Sequence, residues 1–240
     1  MIDNPETYLE NLQAGMQRYT WCIPSAYYHN LPDVSLYDHS RMTAALAVCL
    51  AERPGDEVER LLAAVRATFA EKATPADAEL LSQPAAILVG GDISGIQKFL
   101  YTLSARKAAQ TLRGRSFYLQ LLTEAVLRFL LRELGLPGVN VIYSGGGHFY
   151  LLAPLSAADR LPDLQRRISE VMLKHHGAGL YFGLGWTKVP FSGFKRGEFP
   201  LYWDQMHAEL SAIKLHRYQE VGGEFYTRIF EPISHGGNQE

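Results

Sequence analysis

VNVIYSGGGHFYLLA, residues 139–153, is the stretch on which the fold turns. Residues 139–143 are mainly apolar, 144–147 read Ser-Gly-Gly-Gly, and 148–153 return as an apolar run. Two short apolar runs joined by glycines predict a β-hairpin, because glycine reaches the positive φ that a tight turn requires. Upstream, 85–91 is a short apolar run ending in glycine and predicts a buried strand. Between that strand and the hairpin lie a short helical segment, 93–103, and a long one, 112–134. The long one carries Leu119, Leu122, Val126, Phe129 and Leu130 at helical spacing and meets stop signals at Gly135 and Pro137. Downstream, 158–175 predicts a helix ending before Gly177, 180–189 a strand, and 201–218 an amphipathic helix.

Strand, helices, hairpin, helix, strand is the order of an α+β, ferredoxin-like palm. That is an antiparallel sheet with helices on one face, as in adenylyl and diguanylate cyclases. The chain before it has a different texture. Residues 7–19, 35–51 and 56–69 predict helices, the second with Leu36, His39, Thr43, Leu46, Ala47 and Leu50 on one face. A polar stretch with Pro75 and Pro84 follows. The expected organisation is a helical segment over 1–72, a linker over 73–84 and the palm over 85–240.

Composition narrows the function classes. At 240 residues the chain holds one to two domains, and 47% hydrophobic with 20% charged residues fits a globular protein. A formal charge of -2 rules out a globally basic nucleic-acid binder, so any such surface must be local. Cys22 and Cys49 stand far apart and suggest neither a disulfide framework nor a zinc cluster. There is no basic-then-apolar leader and no apolar run of about 18 residues, so a cytoplasmic protein without a membrane partner is expected.

Palm chemistry sits at two points: a carboxylate at the end of the first strand, and acidic residues after the glycines of the hairpin. Two Mg²⁺ ions need oxygen ligands from both while they activate a hydroxyl and neutralise a triphosphate. The first point reads GGDISGIQKF, residues 90–99, and puts Asp92 at the first ligand position. The second reads SGGGHF, residues 144–149, with Gly147 and His148 where the Gly-Gly-Asp-Glu-Phe hairpin of diguanylate cyclases has its two acids. Glycine offers no side-chain ligand, and imidazole suits softer metals than Mg²⁺. No catalytic residue is therefore expected from this chain alone. A homodimer would only pair two deficient hairpins.

GDISGIQKFLY (91–101), LRGRSF (112–117) and YSGGGHF (143–149) resemble the first palm domain of the large subunit of type III CRISPR effector complexes. Upstream, WCIPS (21–25) and DVSLYDHS (33–40) resemble the same family, with a tilt towards its III-A, Csm-type form. The resemblance covers nearly the whole chain. It implies a second palm carrying an intact Gly-Gly-Asp-Asp hairpin, with which the first converts ATP, with Mg²⁺, into cyclic oligoadenylates once target RNA is bound. The first palm would supply half of the ATP pocket in antiviral defence. Carried onto this sequence, the nucleotide contacts are Asp92, Ser94, Gly95, Ser144, Gly145, Gly146, Gly147 and His148. The implied partners are the second palm, other subunits of the ribonucleoprotein and, indirectly, guide and target RNA.

The resemblance also makes 1–72 the end of a permuted HD domain, with His39 a metal-site histidine. No His-Asp pair occurs in the sequence, so that metal and nuclease site is incomplete. Plainer readings stand beside each of these. Asp92 also suits a helix N-cap, the glycines a bare turn, and His39 a partly buried histidine without metal. Lys98, Arg106, Lys107, Arg113 and Arg115 lie in a span free of acidic residues from Ile93 to Thr123. They suit a solvated helix face, or contact with a triphosphate or nucleic-acid backbone. His175 and His176 suit a helix C-terminus. Alternatives to the half-pocket are a purely structural scaffold and a stand-alone palm cyclase.

Overall fold

The computed structural model describes residues 4–25, 33–101, 108–223 and 227. Its centre is β1 (Pro84–Ser94), whose apolar run is hydrogen-bonded on both sides. On one side lies β3 (His148–Ala153) with β2 (Val141–Gly145) beyond it, and on the other lies β4 (Tyr181–Pro190), giving the order β2-β3-β1-β4. All pairings are antiparallel. The register sets Leu88 opposite Leu152, and Asp92 between His148 on β3 and Gly183 on β4.

Side chains alternate across a strand, so β1 serves two cores. Ile87, Val89 and Ile93, with Phe149, Leu151, Phe182 and Leu184, pack against α6 (Ala108–Leu134) and α7 (Leu161–His176). Ala86 and Leu88, with Leu152 and Val189, pack against Cys49 of α2 (Leu36–Leu50) and Met206 of α8 (Phe199–Leu215). Helices therefore cover both faces of the sheet, not one as the element order suggested. The reason lies in β1 itself: it is apolar on both sides, and either side left bare would expose a greasy strip to water.

α8 packs close on the sheet, over three glycines. A Cβ at Gly90 would meet Met206 Sδ at 2.3 Å, one at Gly185 the Leu210 backbone nitrogen at 2.6 Å, and one at Gly183 would touch Leu210 and Ile213. α2 is tied to the other part of this face by Asn140, whose buried amide donates to Leu152 O at 2.8 Å and Ala45 O at 3.4 Å. Arg41 of α2 donates to the Val141 and Ile142 carbonyls, occupying part of the outer edge of β2. The segment assigned to 1–72 and the sheet assigned to 85–240 meet in this layer. On the opposite edge, Gln165 of α7 bonds Leu184 N and Phe182 O, the outward-facing backbone groups of β4.

α1 (Pro5–Thr20) and α3 (Gly55–Phe69) fall near their expected places. The stretch 73–84 is not simply a linker: it contains α4 (Pro75–Leu81). Thr74 and Asp77 form a reciprocal capping box with Pro75 just inside, and Leu81 packs with Leu61 and Ala64. The polar residues that look like a linker are the start signal of a helix. β1 also runs on to Ser94, so α5 (Ile96–Tyr101) starts later than the pattern at 93 suggested.

Candidate functional site

β2 and β3 close on the pair Gly145–His148, leaving Gly146 (φ +63) and Gly147 (φ +89) as a two-residue turn. Positive φ at both positions is the hairpin geometry that matches the twist of the strands. The buried Gly147 rests on β1: its carbonyl accepts from Ile93 N at 3.0 Å, and a Cβ there would meet Ile96 Cδ1 at 2.8 Å. This contact brings the end of β1 and the hairpin tip together. Ser94 is buried, and Gly95 (φ +93) lies so close to the Gly179 carbonyl that a Cβ would fall 2.1 Å from it. These two residues are turned into the fold at the chain crossing.

Asp92 projects on the α8 side of the sheet and forms an ion pair with Lys214 in the last turn of that helix. Both side chains are about a quarter exposed, at 27% and 26%. Asp92 is not a helix cap; three residues separate it from the start of α5, and the strand pairing continues through Ser94. His148 is its partner across the sheet. From His148 a row of rings extends along this face. His148 stacks on Tyr143 at 5.3 Å, Tyr150 lies 5.6 Å away, and Trp203 of α8 is 4.4 Å from Tyr150. The Tyr150 hydroxyl meets His207 Nε2 at 3.3 Å. Burial first, then the negative charge of Asp92, raises the Tyr150 phenol above its ordinary value.

Sequence reasoning missed the α8 side of this site. A signal was present: Trp203, His207, Leu210 and Lys214 recur at four-, three- and four-residue spacing and so share one stripe of the helix. Nothing local says which carboxylate that stripe meets.

A concavity of about 240 Å³ opens on the other side of the hairpin. It is lined by Ser144, Gly145, Gly146 and Gly147 together with Phe117, Gln120, Leu121, Thr123 and Glu124 of α6. The hairpin glycines thus reach two surfaces, an aromatic one beside Asp92 and a mixed one beside α6.

The basic set divides. Lys98 and Arg113 are exposed. Arg115 instead lies over the Phe99 ring, 5.3 Å from its centroid, and donates to the Phe99 carbonyl, joining α5 to α6. Arg106 and Lys107 lie outside the described residues. His175 and His176 end α7, where His176 Nε2 meets the Tyr118 hydroxyl at 2.8 Å; burial, then His175, lowers the His176 pKa. His39 is exposed on the first turn of α2 rather than partly buried. Among the described residues no group of three His, Cys, Asp or Glu side chains could hold a metal, there or elsewhere.

The donor set at the hairpin does not fit a magnesium pair. Two hard cations need several oxygen ligands. Here the strand-end carboxylate is committed to an ammonium, its cross-strand neighbour is an imidazole, and the turn consists of glycines. No step through a metal follows from this geometry.

The class is an α+β domain on a four-stranded antiparallel sheet, and the family model described as Csm1 subunit domain B matches residues 85–232. The relatives extend that likeness to the N-terminal helices. The chain is 32% identical to the Methanocaldococcus jannaschii CRISPR system single-strand-specific deoxyribonuclease Cas10/Csm1 (subtype III-A), over 95% of this chain and 30% of that protein. It is 30% identical to the Enterococcus italicus protein of the same name, over 98% of this chain and 31% of the relative. Among solved structures, a Csm1-Csm4 cassette in complex with AMPPNP matches 90% of this chain and 28% of the solved chain, with a TM-score of 0.70 and 28% identity. A cassette in complex with cA4 gives a TM-score of 0.71 at 27% identity, covering 90% of this chain and 28% of the other. The chain belongs to the Cas10/Csm1 family of subtype III-A CRISPR systems. It spans about a third or less of the length of these relatives. No helix among the described residues is long and apolar enough to cross a membrane.

Proposed function

We propose that residues 85–240 form a ferredoxin-like palm that provides one non-catalytic wall of an ATP pocket, completed by a second palm for cyclic oligoadenylate synthesis. Residues 1–72 are then the end of a permuted HD domain, with 73–84 between. Support for the palm comes from the β-α-β-β-α-β order and the strand order β2-β3-β1-β4. Support for nucleotide binding comes from cassettes of the family crystallised with AMPPNP, with one ATP and with cA4. In this reading the partners are the second palm, subunits such as the one seen in the Csm1-Csm4 cassette, and, indirectly, guide and target RNA. The setting is a cytoplasmic ribonucleoprotein.

The observation that carries the reading is the neutralised carboxylate at a glycine hairpin. The turn presents Gly146 at the surface, where a ribose or phosphate can come close to its backbone, while Asp92 is held by Lys214. Such a surface can bind a nucleotide but lacks the oxygen donors for phosphoryl transfer. ATP and Mg²⁺ incubated with the chain should give no linear or cyclic oligoadenylate by mass spectrometry. Product that disappears on Asp92→Ala would overturn this. ATP titrated calorimetrically into the chain mixed with its partner palm should release binding heat beyond that of the partner alone. No additional heat would favour a scaffold that docks neighbouring subunits.

A further inference from the structure

α8 is not draped loosely on the sheet. Gly90 leaves room for its Met206 thioether, and Gly185 removes the side chain that would hold the helix away, since a Cβ there would meet the Leu210 main chain. One turn further along, four residues on, the same stripe delivers Lys214 to Asp92. Gly183 lies opposite Asp92 on β4, beneath Leu210 and Ile213 of the same helix. Lys214 also lies in the last turn of α8, where the helix dipole favours a cation. The pairing is thus built by the backbone of two strands and one helix.

A bare carboxylate at this point would repel the triphosphate that the proposed function brings to the hairpin. In an active palm, metal ions solve the same problem. We propose that Lys214 is the resident cation of this site, neutralising Asp92 so that the half-site accepts a nucleoside triphosphate without a divalent metal of its own. The inference rests on the half-pocket reading for its ligand, but its central claim, that Lys214 keeps metal away from Asp92, can be tested without nucleotide.

The first arm is Mn²⁺ alone, titrated into the chain and followed through its backbone amide signals by NMR. The unsubstituted protein should show no selective paramagnetic broadening at Asp92, His148 and Gly183, whereas Lys214→Met should show it, because the carboxylate is released. Broadening there in the unsubstituted chain, or none in Lys214→Met, overturns the inference. The second arm is ATP in EDTA, titrated into the chain mixed with its partner palm. Lys214→Met should bind about two- to fivefold more weakly, the size expected of a partly exposed pair. Adding Mg²⁺, or adding Asp92→Asn to the same variant, should recover binding. Lys214→Arg should behave like the parent, which separates the charge from any packing of the stem. If ATP perturbs no variant, the half-pocket reading falls while the Mn²⁺ arm still decides the role of Lys214.

Discussion

Gly185 on β4 and Leu210 on α8 are in backbone-level contact: a Cβ on the glycine would lie 2.6 Å from the Leu210 nitrogen and 2.8 Å from its Cα. The obstacle is main chain, which cannot rotate aside. Gly185→Ala should therefore lift α8 and cost roughly 1–3 kcal/mol, as overpacking does in a filled core. Urea unfolding would measure the loss. Gly114, with open space around its Cβ position on α6, is the control: Gly114→Ala should be neutral or stabilising by up to about 1 kcal/mol.

Asn140 should prove to be the polar rivet between α2 and the sheet. Its amide donates to carbonyls from both, and it is fully buried. Asn140→Leu removes both bonds and leaves the Leu152 carbonyl without this donor in the core, at a cost of about 1–3 kcal/mol. Hydrogen exchange in α2 should accelerate more than in α7, which packs on the opposite face. Equal acceleration in the two helices would show that Asn140 supports the whole fold rather than the α2 contact.

Arg113 and Arg115 should part company. Arg113 is exposed, so Arg113→Glu should leave stability within about 0.5 kcal/mol. Arg115→Glu loses the stacking on Phe99 and the bond to its carbonyl, and its urea midpoint should fall clearly. Weaker ATP- or RNA-dependent activity of a complete complex carrying only Arg113→Glu would therefore report on contact, not folding.

The thiols make a pH prediction. Cys22 is exposed, while burial, helped by the charge of Glu52, pushes the Cys49 thiol from 9.0 up to about 12. A thiol reagent at neutral pH should consume one equivalent quickly and the second only on unfolding. Folding holds the Cys49 proton more tightly than the unfolded chain does, so its contribution is intact below about pH 9 and is lost as pH rises towards 12. Tyr181 and Tyr218, raised chiefly by burial and next by Glu220, act in the same direction from about pH 10 upward. Urea midpoints across pH 8–11 should fall, and Cys49→Ala should flatten the early part of that fall.

Much of the fold was legible because its signals are local. The 144–147 glycines announce the hairpin, and Gly146 and Gly147 take the positive φ that such a turn needs. The long helix before Gly135 and the apolar run of β1 were likewise plain. α4 was misread as linker because a capping box and a polar loop use the same residue types, and only the burial of Leu81 tells them apart. The covering of both sheet faces was missed because an apolar run gives no account of what will lie on each side. Of the candidate site, Asp92, Gly147 and His148 were readable by position. Lys214, Tyr150 and Trp203 were not, since nothing near them in the chain points to the hairpin.

The amino-acid sequence alone decided which atoms the hairpin can offer: glycine and imidazole at 147 and 148 cannot become carboxylates in any fold. The tertiary structure alone decided what Asp92 faces. Lys214 lies 122 residues away, and it arrives there because bare glycine backbone lets α8 settle close to the sheet. Chemical identity is carried by each residue separately. The meeting of two charges depends on the volumes of everything packed between them.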